Sequence, residues 1–382
     1  MVVENKFSLD ARMSSTKEIA ETYFGQEVTI EELGTCTYKI WLTQDQRYAK
    51  ARILGLSSMD IWVHKQLTDV PAIIDIVDGV KFVEWWEGEQ FPEQHDDIAK
   101  LPTEWLYQYG EWLKKAKWRG IYPKDDSWKN VLHCPDRNLT INCDLHGLIS
   151  YKTNYMDILK CCLSEEHWAA VCETYQTTKM DIQQLVVDMG WDGFWGGHHY
   201  QPINVKDICV AGSRSYQRLD MIGRESLEGK RILDLGCSLG MMCYNAAERG
   251  AEYVLGVDND GEAPYHRTVL LQAIADYAGY DQISFLPFSL DEDLFYEYAC
   301  NMHFDICYCF AVHGHVKDSV RMMGFVDSHC DELFFEGRLS QSAESTSSYV
   351  EDTTTFRNGE YLGESSTQDD PPCVRHLFHY AR

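Results

Sequence analysis

Residues 227–260 read LEGKRILDLGCSLGMMCYNAAERGAEYVLGVDND, and the fold is decided there. Residues 231–235, with Ile232, Leu233 and Leu235, read as a buried strand. Gly236 to Gly240 then form a tight turn that delivers the chain into a helix beginning near Met241, with Tyr244, Ala246 and Ala247 toward its packed side. A second apolar run, YVLGV, closes on Asp258. Each special residue answers a physical demand. Asp234 ends the first strand, where a carboxylate can organise the loop or meet an ammonium group. Gly236 lets backbone approach a ligand without a side-chain clash, and Gly240 permits close strand-to-helix packing. Strand, glycine turn, helix, strand and terminal acid in one unit predict a Rossmann-like half.

A carboxylate at Asp258 can accept both hydroxyls of a ribose, so the expected ligand contains adenosine. A dinucleotide site would carry a GxGxxG turn facing a pyrophosphate. DLGCSLG lacks it, which favours a nucleoside bearing a sulfonium amino acid. This segment closely resembles motif I and its acidic follow-up in class I S-adenosylmethionine-dependent methyltransferases. The resemblance covers about residues 224–382 and implies that Asp234, Gly236, Cys237, Gly240, Asp258 and Asn259 bind the cofactor. ISFLPFSLDED places Ser289 where the family usually has an acid for the adenine amino group; Leu290 would pack on the ring and Asp291 could substitute for the missing acid. FDICYCFAVHGHVKD resembles motif IV, with Phe310 beside the methionyl end and His313 or His315 facing the transfer centre as a general base. ELFFEGRLS predicts a buried strand ending in Glu336, a candidate for orienting the nucleophile, and YLG with RHLFHY predicts a terminal antiparallel hairpin. The expected fold is a seven-stranded α/β methyltransferase sheet over 221–382.

Upstream, residues 27–88 alternate as short strands around a helical SSMDIWVHKQL, and a second amphipathic helix runs from Leu101 to Arg119. Two further apolar runs flank a turn at Pro135 and Asp136. This order resembles the protein-kinase and aminoglycoside-phosphotransferase superfamily over roughly residues 20–155. The resemblance implies an α+β domain at 21–155 after an extension at 1–20. Lys50 would orient phosphates and Asp60 would hold the lysine. Asp125 would be catalytic, with Asn130 and Asp144 on magnesium and ATP as the nucleotide. The motifs are incomplete: Pro123 and Lys124 replace the usual His-Arg, and the glycine-rich loop is reduced to Gly34. Residues 156–220 read as a helical connector. In it, His198 and His199 lack the partners of a metal site, and Arg218 is a candidate for a cofactor carboxylate or substrate.

The chain has 382 residues, with 60 acidic against 34 basic side chains and a net charge of -26. Such a field repels phosphate backbones and anionic membrane faces, which argues against nucleic-acid and membrane partners. The 14 cysteines include no CxxC pair, and the amino-terminal stretch lacks a signal-like apolar region. A reduced, cytoplasmic protein is expected, with self-association left open. Methyl transfer to a small-molecule or sugar-like acceptor, a glycan included, is the leading expectation. The alternatives are a bifunctional kinase-methyltransferase and a cofactor-binding protein without chemistry.

Overall fold

A computed structural model describes residues 9–34, 37–44, 47–53, 73–77, 80–84, 88–91, 100–122, 131–142, 163–191, 201–212, 217–223, 225–259, 266–338, 341–366 and 374–382, with a few isolated residues between. The chain divides into two compact units, residues 1–116 with 121–175, and residues 117–120 with 176–382.

In the first unit, helix α1 (Leu9–Phe24) precedes strands β1 (Val28–Gly34), β2 (Thr37–Leu42), β3 (Arg47–Ile53), β4 (Ile73–Val77) and β5 (Val80–Glu84). The strands form an antiparallel sheet in the order β1-β2-β3-β5-β4. Ala20 of α1 packs with Val28, Ile40, Leu42 and Ala49 in one small core, so the helix that overlaps the expected extension belongs to this unit. Strand β6 (Glu89–Gln90), helix α2 (Thr103–Trp118), and strands β7 (Val131–Cys134) and β8 (Leu139–Asn142) follow. A 3-10 turn at Pro135–Arg137 joins β7 to β8, where the sequence predicts a turn. Helix α3 (Glu165–Tyr175) closes the unit. Lys50 lies on β3, opposite Lys39 of β2 and Val83 of β5. Asp60, Asp125, Asn130 and Asp144, like His198 and His199, lie outside the described residues.

The second unit begins with helix α4 (Lys179–Asp188), opened by a capping box between Thr178 and Asp181 that satisfies two otherwise orphaned amides. Strands β9 (Ile203–Val205) and β10 (Ile208–Val210) pair as a short hairpin, and helix α5 (Gln217–Met221) follows. Ile182, Leu185, Ile203, Val205, Ile208 and Val210 all enter the main core. These six residues fall within the stretch 156–220 that the sequence reads as a connector.

The remaining elements alternate: β11 (Arg231–Leu235), α6 (Met241–Glu248), β12 (Tyr253–Val257), α7 (Arg267–Ala278), β13 (Ile283–Leu286), α8 (Asp293–Ala299), β14 (Phe304–Phe310), α9 (Ser319–His329), β15 (Cys330–Glu336), α10 (Ala343–Thr353), β16 (Glu360–Ser366) and β17 (Val374–Ala381). They build a seven-stranded sheet in the order β13-β12-β11-β14-β15-β17-β16. Strands β11 to β15 are parallel, and β17 runs antiparallel to both β15 and β16. Every residue of β12 is buried, as a parallel strand covered on both faces requires. The expected sheet and terminal hairpin are both present. From β11 the chain winds outward through β12 and β13, then returns to place β14 on the other side of β11. That reversal opens a crevice at the carboxyl ends of the strands, where an open α/β sheet receives its ligand.

Candidate functional site

A cavity of about 450 Å³ occupies this crevice. Its wall takes Gly236 from the β11 turn, Asp258 and Asn259 after β12, Ser289, Leu290 and Asp291 after β13, and Phe310 and His315 from β14 and its loop. The sequence singles out all of these. Arg375 of β17, together with Ala311, Val312 and Val316, completes much of the remaining wall and is not anticipated by the sequence reading.

The β11 turn is held by the neighbouring strand: the amides of Gly236 and Cys237 both donate to the Val257 carbonyl, at 2.8 and 3.1 Å. Gly236 has φ +70°, and a Cβ there would lie 2.7 Å from Val312 Cγ2. Only glycine leaves this edge of the cavity open. The Ser238 amide donates to Asp258 Oδ2 at 2.8 Å. Burial raises the pKa of Asp258, opposed by the Ser238 and Asn259 amides and by Arg267. A carboxylate in this setting keeps lone pairs for further donors, as ribose recognition needs.

After β13, Asp291 accepts from the Lys317 amide at 2.6 Å, and its own amide donates to Ser289 Oγ at 3.3 Å. These bonds tie the loop after β13 to the loop after β14. The second loop turns at Ala311, which has φ +61° and donates its amide to the Glu336 carbonyl at 3.0 Å.

Asp234, Cys237 and Gly240 lie behind the wall. Asp234 is only 2% exposed and accepts from the Cys243 thiol at 3.2 Å. Burial pushes its pKa up to about 7, against the thiol hydrogen bond and the field of Arg218. Cys237 is fully buried, its thiol pKa pushed up to about 11 by burial. A Cβ on Gly240 would meet Phe285 Cζ at 2.7 Å, consistent with close packing of the turn on the sheet.

Two expected catalytic groups are placed differently. Glu336 is fully buried and does not line the cavity: Arg218 Nε donates to Oε1 at 2.9 Å and Arg218 Nη2 to Oε2 at 2.5 Å. Ser365 Oγ also donates to Oε1. The pairing corrects the expectations for both residues, since Arg218 spends its fork on Glu336 and lies 5.2 Å from the Phe310 ring. His313 is buried between Phe335 and Tyr349, with ring centroids 4.9 and 5.0 Å away. Its pKa falls to about 4, chiefly through burial and then through Arg338. His315, two residues on, is exposed at the cavity. Among the described residues no group of three or more His, Cys, Asp or Glu could hold a metal ion, and no helix is long and apolar enough to cross a membrane.

No family model matches the chain. It is similar to protein arginine N-methyltransferase 1 of Dictyostelium discoideum, 39% identical over 56 residues, which are 15% of this chain and 16% of that protein. It is also similar to the ubiquinone biosynthesis O-methyltransferase of Neisseria meningitidis serogroup C (strain 053442), 50% identical over 42 residues, 11% of this chain and 18% of that one. The chain thus spans less than a fifth of either relative. Among solved structures it resembles the N-terminal domain of EvdMO1 in the presence of SAH and D-fucose, at 14% identity and TM-score 0.39, covering 54% of this chain and 98% of that one. It also resembles magnesium protoporphyrin IX methyltransferase (ChlM) from Synechocystis PCC 6803 with bound SAM, at 13% identity and TM-score 0.33, covering 61% and 86%. The kinase resemblance of residues 20–155 finds no support among these proteins. The order and directions of strands β11 to β17 are those of a Rossmann-like sheet closed by an antiparallel hairpin.

Proposed function

We infer that the second unit transfers a methyl group from S-adenosylmethionine to a small-molecule or sugar-like acceptor. The observation that carries this reading is the pairing, in one cavity, of the Gly236 turn with the Asp258 carboxylate, set at the carboxyl ends of adjacent parallel strands. The residues fit the cofactor: the missing Cβ at Gly236 leaves room for its backbone approach, and Asp258 is a fixed acceptor for ribose hydroxyls. Ser289 and Leu290 would flank the adenine, and Phe310 the methionyl end. Bound there, the cofactor supplies an electrophilic methyl group on a sulfonium.

The chain's own contribution is alignment and exclusion of water. His315 takes the proton from a hydroxyl or amine nucleophile, while an acceptor that is already ionised needs no base. The phosphotransfer reading has no comparable observation behind it and forms no part of this proposal. The test is turnover: the purified protein is incubated with S-adenosylmethionine and pools of small-molecule and sugar acceptors, and S-adenosylhomocysteine is quantified. Acceptor-dependent product supports methyl transfer. Cofactor binding without product from any pool would favour a binding protein.

A further inference from the structure

Arg375 is the second residue of β17, and β17 enters the sheet antiparallel to β15, with Leu377 opposite Glu336. The start of β17 therefore lies at the carboxyl ends of the parallel strands, on the cavity wall. Asp258 follows β12, four inter-strand steps from β17 in the order β12-β11-β14-β15-β17, or roughly 19 Å across the sheet at ~4.8 Å per step. The two ends of the crevice thus carry opposite charge. Asp258 and Asp291 stand on the β12 and β13 side, and Arg375 on the β17 side.

The guanidinium is pre-positioned. Arg375 has a side chain only 14% exposed, with Nη1 3.6 Å from Glu336 Oε2. That separation gives charge attraction without a direct hydrogen bond, and both oxygens of Glu336 are already engaged by the Arg218 fork and Ser365. Glu336 therefore orients Arg375 while its hydrogen-bonding capacity is spent mainly on Arg218. A planar guanidinium held in this way matches a carboxylate or phosphate bidentately. The protein's net charge of -26 would repel an anionic small molecule, so a local cation in the cavity is what such an acceptor requires.

We propose that Arg375 is an anion anchor at the acceptor end of the cavity, and that the methyl acceptor is a small molecule carrying a carboxylate or phosphate oxyanion near its nucleophile. This rests on the methyltransferase reading above and names the substrate class. The anion sits on Arg375, away from Asp258 and Asp291, and the nucleophile faces back toward Phe310 and His315.

The test is calorimetric titration of protein saturated with S-adenosylhomocysteine, using inorganic phosphate and separately malonate at constant ionic strength. Saturable binding of at least one probe is expected. It should weaken by about 10-fold or more in Arg375→Gln and fall between the two in Arg375→Lys, which keeps the charge and loses the fork. Which probe binds tells phosphate from carboxylate. Affinity for S-adenosylhomocysteine, measured on the same samples, should stay within about 2-fold in Arg375→Gln and shows that each variant is folded. The proposal is overturned if neither probe binds the loaded wild-type protein, or if Arg375→Gln keeps its probe affinity. A loss of S-adenosylhomocysteine affinity in Arg375→Gln, with Arg375→Lys restoring it, would also overturn it by assigning the guanidinium to the cofactor's own carboxylate. Failure of wild-type protein to bind S-adenosylhomocysteine sinks the methyltransferase reading and this inference together, whereas cofactor binding without probe binding sinks this inference alone.

Discussion

Arg218 and Glu336, 118 residues apart in sequence, close a two-pronged ion pair from which solvent is almost excluded, at 2% and 0% side-chain exposure. It couples α5 to the end of β15 directly behind the cavity. Removing one partner of a buried pair strands the other charge, at a cost of about 3–5 kcal/mol. The two losses should be unequal, because Arg375 also lies 3.6 Å from Glu336. Glu336→Leu leaves two guanidiniums facing each other and should destabilise more than Arg218→Met. Denaturant midpoints of the two variants and of the double variant would check this. A larger loss in Arg218→Met than in Glu336→Leu would contradict it.

Asp234 and His313 should give opposite pH dependences of stability. Asp234 has its pKa pushed up from 3.8 to about 7 by burial, so the folded state holds a proton that the unfolded chain releases. The stability it contributes is fully present below about pH 4 and is lost as pH rises toward 7, on the order of 4 kcal/mol in all. His313, lowered from 6.5 to about 4, contributes stability above pH 6.5 that is lost as pH falls toward 4. Denaturation curves from pH 4 to 8 should therefore show Asp234→Asn gaining on the wild type as pH rises, and His313→Phe gaining on it as pH falls.

Gly236→Ala places a methyl group 2.7 Å from Val312 at a backbone with φ +70°. Gly229 has the same left-handed backbone, at φ +72°, and a methyl group there would meet nothing within 4 Å. Both substitutions should cost about 1 kcal/mol for the backbone alone. Only Gly236→Ala should also weaken S-adenosylhomocysteine binding, by about 10-fold or more. Equal effects on binding would remove the turn from the site.

His315→Gln should lower kcat by about 100-fold on a hydroxyl or amine acceptor and leave both cofactor affinity and turnover of an already ionised acceptor unchanged. Equal losses on ionised and protonated acceptors would exclude His315 as the base.

The second unit is legible in the sequence because its signals are local. The strand, the DLGCSLG turn, the helix and Asp258 fall within about thirty residues, and their periods and glycines suffice to order them. Ser289, Leu290, Phe310 and His315 follow from strand ends in the same way. What escapes depends on pairing between distant segments. Glu336 reads as a strand-end acid, and only the register that brings Ser365 and Arg375 together on β16 and β17 shows it turned inward onto Arg218. His313 and His315 look equivalent in VHGHV. The loop beginning at Ala311 sends one between Phe335 and Tyr349 and the other to the cavity. Arg375 leaves a trace that can be read: it is two residues from Leu377, fully buried on the same strand, so alternation puts its side chain on Leu377's face. In the first unit, alternation marks the strands, but order and register come from pairings between segments that single-sequence patterns do not specify.

The most direct test of the central claim is calorimetric titration of the purified protein with S-adenosylmethionine and S-adenosylhomocysteine, repeated on Asp258→Ala. The account predicts saturable binding of both to the wild type and a loss of about 100-fold or more in the variant, since a fixed carboxylate bonding two ribose hydroxyls is replaced by a methyl group. Wild-type protein that binds neither nucleoside, or a variant that binds as tightly as the wild type, would contradict it.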